Sequence, residues 1–181
     1  YQLYLQGRYH WNKGTIAGYK KAIEYFQQAI VTDPKYALAY AGLADCYAIL
    51  SQCSRLPPAE TMPKARAAAR EALRIDASLA EAHTVLASVL EERWQWQAAD
   101  AEFRRAVTLD PSDSTTQQWY GEFLGRMGRY RESEKYCRRA LALDPLSPVI
   151  NLSCALATVA ARVDAAGALE LARHAESLGM T

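Results

Sequence analysis

Apolar residues recur three and four positions apart through most of this chain. In LAEAHTVLASVLEER the row is Leu86, Val89 and Leu90; in WQAADAEFRRAVTLD it is Ala99, Phe103, Ala106 and Val107. That spacing gathers each row on one side of a helix. Between rows the stripe is interrupted at Asp33-Pro34, Asp110-Pro111 and Asp144-Pro145, and at Asp76-Ala77 in the same role. Proline lacks a backbone donor and pushes the residue before it out of helical geometry, so these pairs end helices. The pattern predicts ten helices, near residues 1–12, 17–32, 36–50, 60–75, 79–92, 96–109, 113–127, 130–143, 147–160 and 164–178, and no β-sheet.

The four closing pairs follow one another after 43, 34 and 34 residues, and each ends a similar phrase: KAIEYFQQAIVTDP, KARAAAREALRIDA, AADAEFRRAVTLDP and ESEKYCRRALALDP. A fixed period of this length means one helix-pair unit stacked on itself. Small residues keep step with the period: Ala87, Gly121 and Ala155 in the first helices, Ala99 with Ser133 and Ala106 with Ala140 in the second. They limit how closely neighbouring helices approach, and a bulky replacement there should cost ~1–3 kcal/mol. The nine additional residues of the 43-residue period fall in SQCSRLPPAETMP. There Gln52 to Pro58 reads as an extended loop, and Pro63 as a residue in the first turn of the next helix. The stretch from Gln52 to Pro63 is a candidate binding loop.

The repeated phrase resembles the tetratricopeptide repeat, whose pattern is Trp-x2-Leu-Gly-x2-Tyr, then Ala-x3-Phe, then Ala, then Pro. The second repeat supplies Tyr40, Leu43, Ala44 and Tyr47. The third supplies His83, Leu86, Ala87, Leu90, Ala99, Phe103, Ala106 and Pro111. The fourth supplies Gln117, Tyr120, Gly121, Leu124, Ser133, Cys137, Ala140 and Pro145. The first gives Gly7, Ala22, Phe26, Ala29 and Pro34, with a longer turn, NKGTIAG. A degenerate fifth gives Asn151, Cys154, Ala155, Thr158, Ala168, Ala172 and Ala175. The resemblance implies an all-α, right-handed superhelical solenoid of antiparallel helix pairs. It would form one array over 1–181, with repeats near 1–34, 35–77, 78–111, 112–145 and 146–181. The opening YQLYLQGRYHWNKGT and the two phrases after it are also similar to repeat regions of large bacterial signalling proteins. Those regions accompany winged-helix, serine/threonine kinase or adenylyl cyclase domains, none of whose own motifs occurs here. The chain opens on Tyr1 already within a helical pattern, which leads us to expect a piece of a longer protein.

Composition narrows the function. A net charge of +1 gives no general attraction to nucleic acid or acidic membrane. No apolar run reaches the ~18 residues of a membrane span. Cys46, Cys53, Cys137 and Cys154 form no CxxC pair, and His10, His83 and His174 lie far apart. We therefore expect reduced thiols, a cytoplasmic setting, and neither metal nor cofactor. Gly121, Gly125 and Gly128 are spaced GxxxGxxG with no strand before them, so they read as packing and turn residues rather than a nucleotide loop. No nucleophile elbow or P-loop occurs. The residues point to a non-enzymatic binding module, with an enzyme fragment the remote rival. The aromatics Phe26, Tyr40, Tyr47, Phe103, Phe123 and Tyr130 read as core, as does Trp96, while Trp94 has no assigned role.

By the resemblance, positions two, five, nine and twelve of each first helix line a concave groove that takes a peptide or partner protein. The candidate partner-binding residues are Arg8, Asp45, Glu81, Ser88, Glu91, Gln118, Trp119 and Glu122. Tyr4, Trp11, Leu38, Ala41, Ala48, Thr84, Thr115 and Gly125 belong to the same rows. The acidic members Asp45, Glu81, Glu91 and Glu122 imply a basic peptide, and the Lys/Asn/Arg carboxylate clamp of some family members is absent. The alternative is nucleic-acid or other anionic-partner binding through an arginine ladder on the second helices: Arg66, Arg70, Arg74, Arg104-Arg105 and Arg138-Arg139. Leu169, Leu171, Ala172, Ala175, Leu178 and Met180 on the last helix suggest self-association through the C-terminal end.

Overall fold

The computed structural model describes residues 1–53, 57–161 and 165–178. They form α1 (Gln2–Trp11), α2 (Ile16–Thr32), α3 (Ala37–Cys53), α4 (Pro58–Ile75), α5 (Ala80–Glu92), α6 (Trp96–Leu109), α7 (Ser114–Arg126), α8 (Tyr130–Leu143), α9 (Pro148–Ala161) and α10 (Ala165–Ser177). There is no strand among the described residues. The helices fall into two compact units, residues 1–109 and 110–181. In the first, α1 to α6 pack as three consecutive pairs, with α1, α3 and α5 also touching in turn. In the second, α7 packs on α8, α9 on α10, and α8 and α7 both on α9.

The helix ends follow from local chemistry. Asp33, Asp76 and Asp144 are C-cap residues, the first two extended, whose amides still bond back to Ala29, Ala72 and Ala140. The carboxylates of Asp33, Asp76 and Asp110 then accept the amide two residues on, at 3.0, 2.9 and 2.8 Å. In the last two the serine hydroxyl also donates to the carboxylate, and these bonds hold both carboxyls below their ordinary range. Asp is thus as much the stop signal as Pro, which explains why Asp76-Ala77 works without one. Thr15 and Asp113 cap α2 and α7 through their side chains.

The position held by Trp in the family pattern is polar here, and its role is visible only in three dimensions. His83 Nε2, Gln117 Nε2 and Asn151 Nδ2 bond the carbonyls of Ala77, Pro111 and Pro145 at 3.1, 3.0 and 2.9 Å. Each side chain reaches six residues back and ties its helix to the turn that closes the preceding repeat. The other His83 nitrogen meets Glu102 at 2.6 Å.

Two loop expectations need correction. Both ends of the expected loop from Gln52 to Pro58 are helical: Gln52 and Cys53 belong to α3 and Pro58 to α4, and these helices run to 17 and 18 residues. Residues 54–56 lie outside the described residues. Pro63 sits in the second turn of α4, not the first, with its ring exposed. The turns within repeats show a regular device instead. Gly14 and Gly128 have φ of 63° and 74°, and Trp94 occupies the same seat as Gly128 at 61°. In both of the latter turns the next amide bonds back five residues, Gln95 to Leu90 and Arg129 to Leu124. Trp94 stays 77% exposed, edge-on to Trp96 at 5.5 Å. Tyr130, expected in the core, is nearly half exposed.

Packing turns on a bulky residue from each second helix. Phe26 is fully buried with Ala22 and Cys46, flanked by Tyr4, Trp11 and Leu43. It fits because two glycines face it: a Cβ on Gly7 would lie 2.5 Å, and one on Gly42 2.6 Å, from its ring. Phe103 is equally buried in α6. In the second unit the corresponding residue is Cys137, and it is bonded to Cys154 on α9 across a Cα–Cα distance of 5.2 Å. Ala140 and Ile150 complete that core. The expectation of reduced thiols is therefore wrong for this pair: stacking brings together two cysteines that the sequence separates by 17 positions. Cys46 is free and buried, and its burial, with Asp45 beside it, pushes the thiol far up from its ordinary range.

The disulfide should stabilise the second unit by about 3 kcal/mol, the order expected for a closed loop of this length. Denaturation with and without reductant measures it; Cys137→Ala should match the reduced protein rather than the oxidised one. Gly42→Ala should destabilise by ~1–3 kcal/mol despite its gain in helix propensity, because Phe26 is pinned by Gly7 on its other side. Urea midpoints of the variant and the parent chain decide this.

Candidate functional site

In the first unit the candidate side chains come from α1, α3 and α5. Arg8 on α1 reaches Glu81 on α5, Nη1 to Oε1 3.4 Å, although α3 lies between the two helices in sequence. The same guanidinium lies 4.8 Å above the Trp11 ring. Tyr4 packs against Phe26 and Tyr36. Burial, with the Glu81 charge beside it, pushes its phenol up to about 12. Short residues on α3 make room for this: Ala41 and Ala48 are buried, while Asp45 between them is half-buried. Of the predicted groove residues, Arg8, Glu81 and Tyr4 are thus brought together. Asp45 and Glu91 remain partly accessible. Ser88 and Thr84 are 4% exposed, and the Thr84 hydroxyl donates to the Ala80 carbonyl of its own helix, which leaves both little surface for a partner.

The second unit presents a different face. Gln118 Nε2 donates to Glu122 Oε1 at 2.9 Å and to Ser153 Oγ at 3.2 Å. Ser153 donates to the same carboxylate oxygen at 2.5 Å, and Arg126 approaches the other at 3.8 Å. Glu122 is therefore held by three neighbours, and Gln118 is buried. Trp119 is half-buried. The groove rows expected from the sequence end at α7, and an exposed apolar row lies beyond them. On α9, Val149, Leu152, Leu156 and Val159 are 47%, 36%, 63% and 59% exposed. They occupy the groove positions of the fifth repeat, while Ile150, Asn151, Cys154 and Ala155 bury the opposite side of the helix. The signal was present in the sequence as apolar residues at three- and four-residue steps. It was masked because α9 is apolar on both sides, so its inner and outer rows look alike.

The other expectations sort by geometry. Three of the seven arginines of the ladder pair with a carboxylate on their own helix: Arg74 with Glu71, Arg104 with Asp100 and Arg138 with Glu134. On α10 Leu169 is half exposed, but Leu171 and Leu178 are partly covered and Ala175 is buried; Met180 lies outside the described residues. The larger apolar exposure is on α9. Among the described residues no group of side chains is arranged to hold a metal ion, and no helix is long and apolar enough to cross a membrane.

Residues 115–145, which include α7 and α8, match the tetratricopeptide repeat family. The chain is 24% identical to the transcriptional regulator HilA of Salmonella typhimurium over 143 residues, which are 79% of this chain and 26% of HilA. It therefore spans about a quarter of that relative. Among solved structures it is similar to TTC0263, a TPR protein of Thermus thermophilus. That likeness has a TM-score of 0.73 and 17% identity and covers 95% of this chain and 89% of the other. It is also similar to YrrB, a TPR protein with an unusual peptide-binding site, with a TM-score of 0.56 and 19% identity over 95% of this chain and 84% of YrrB. Fold and repeat agree with the reading from the periodic Asp-Pro phrases.

The environment of Tyr4 is directly measurable. Its phenol should ionise near pH 12, well above the ordinary 10.0 of tyrosine. Native structure is then favoured below pH 10 and loses this contribution as pH rises through the folded value, because the unfolded chain releases the proton first. Burial also pushes up the phenols of Tyr36 and Tyr47, so absorbance titration should show several late-ionising tyrosines, of which the component near pH 12 disappears in Tyr4→Phe and moves to lower pH in Glu81→Gln.

Proposed function

We propose that this tetratricopeptide-repeat array is a non-enzymatic scaffold that binds a peptide or partner protein on the faces of its first helices, as the interaction module of a larger signalling protein. The observation that carries the reading is the exposed row Val149, Leu152, Leu156 and Val159 on α9. Four large apolar side chains at groove positions, on a helix already anchored by its other side, are surface that a partner would remove from water. At ~25 cal/mol per Å², covering even about 200 Å² of it would contribute about 5 kcal/mol before association costs. The likeness to a solved TPR protein with a peptide-binding site supports the class of ligand. The likeness to a transcriptional regulator supports attachment to an output domain. That the repeats from 1–34 to 146–181 act as one array is part of the proposal.

On the first unit, Asp45, Glu81 and Glu91 favour a cationic residue in the ligand, with Arg8 already answering Glu81. On the second, Glu122 is engaged by its neighbours, so apolar anchors carry the contact there. A Cys137–Cys154 bond would favour an oxidising setting over the cytoplasm that the sequence suggests.

Panning a phage-displayed peptide library on the purified chain tests this reading. The selected peptides should carry apolar anchors and should bind Leu156→Glu at least tenfold more weakly, about 1.4 kcal/mol. Selected peptides that bind Leu152→Glu and Leu156→Glu as well as the parent would overturn the assignment to α9.

A further inference from the structure

Away from the groove positions, the start of α4 and the end of α5 enclose a depression of about 440 Å³. Its apolar lining comes from Pro58, Met62, Pro63 and Val89, and three arginines, Arg66, Arg70 and Arg93, stand around it. Glu92 also lines it, and among the described residues none of these four charged groups is in an ion pair. This separates them from Arg74, Arg104 and Arg138, each of which has its own carboxylate. The Arg70 charge, the loss of water around Arg66 and the Arg93 charge together lower the ordinary basicity of Arg66. The Nε of Arg66 is buried and has no hydrogen-bond partner among the described residues. Buried donors are almost always satisfied, and a guanidinium pressed against two others is stabilised by an anion.

We infer that this depression is a second binding site, distinct from the first-helix faces, and that it takes an acidic peptide segment. A carboxylate would sit among Arg66, Arg70 and Arg93, and a neighbouring apolar side chain would lie on Met62 and Val89. Charge complementarity selects the acid. The small apolar lining selects a peptide over nucleic acid: among the described residues no aromatic ring lines the depression for a base to stack on. The basic surface is also local, because the next arginine along α4 is neutralised by Glu71. The longer α4 contributes to the site: Pro58 and Ala59 lie in the first turn of this 18-residue helix, which the 14-residue second helices α6 and α8 lack.

Fluorescence anisotropy with a short fluorescein-labelled peptide of alternating Glu and Leu tests the inference on the full chain. Binding should weaken with added salt and fall about tenfold or more in Arg70→Glu/Arg93→Glu. Both of these side chains are exposed, so the variant keeps its fold, and its circular dichroism should match the parent. Arg70→Gln/Arg93→Gln should give a smaller loss. The peptide of alternating Lys and Leu should not bind at this site, and Leu156→Glu should leave the acidic peptide's affinity unchanged, which separates this site from the α9 face. Equal affinity in the charge-reversed variant would overturn the inference. So would tighter, Arg70-dependent binding of a single-stranded oligonucleotide, which would make the site a nucleic-acid contact instead.

Discussion

The distance at which one second helix can approach the first helices on either side governs this chain. In the first unit that distance is set by Phe26 between two glycines, Gly7 and Gly42, neither of which has room for a methyl group. In the second unit Gly121 packs against the α8 backbone, where an added Cβ would stand 3.2 Å from the Ser133 carbonyl. Neighbours rather than a central core supply the burial, so each interface must be close-packed on its own. Where the pattern lacks its phenylalanine, Cys137 fills the seat and a covalent bond to Cys154 takes over part of the ring's role.

This mode of burial leaves whole helix faces available. A second helix spends its apolar stripe on both neighbours and shows solvent a salt-bridged side, as with Arg104 and Asp100 or Arg138 and Glu134. A first helix is wedged between others and keeps only a narrow row free. In the first unit short residues such as Ala41 and Ala48 on α3 accompany an Arg8–Glu81 pair between the helices on either side of it. On α9 the row is four large apolar residues. The same architecture therefore yields polar, internally paired positions on α1, α5 and α7 and an apolar row on α9, by substitution at the same repeat positions.

Departures from the repeat are where the chain becomes individual. A strict family member would place Trp where His83, Gln117 and Asn151 hold the preceding turn. The fourth repeat keeps a glycine, Gly128, in the left-handed seat that Trp94 occupies with its ring in solvent. A strict family member would also lack the additional helical turn at the start of α4 that carries Pro58 to the arginine-rimmed depression. None of these is required for stacking, and each alters the surface or the joints between repeats.

Periodicity made the fold legible. Helix number, order and ends followed from local chemistry: a three- and four-residue apolar step, an Asp that caps and a Pro that cannot continue. Those are interactions within a few residues, and sequence carries them directly. Partners across repeats were not legible. That Cys137 faces Cys154, that Glu122 is held by Ser153, that Arg8 answers Glu81 and that Arg66 meets no carboxylate among the described residues all depend on which helix faces meet. The same residue types at the same spacing could have pointed to solvent. Even the 43-residue period, whose prolines suggested a loop, became longer helices, because packing between α3 and α4 offsets the single backbone bond that Pro63 forfeits. Sequence by itself determined what each helix is; only the tertiary structure decided which side chains remain free to bind, because pairing is a property of neighbouring surfaces and not of the chain order.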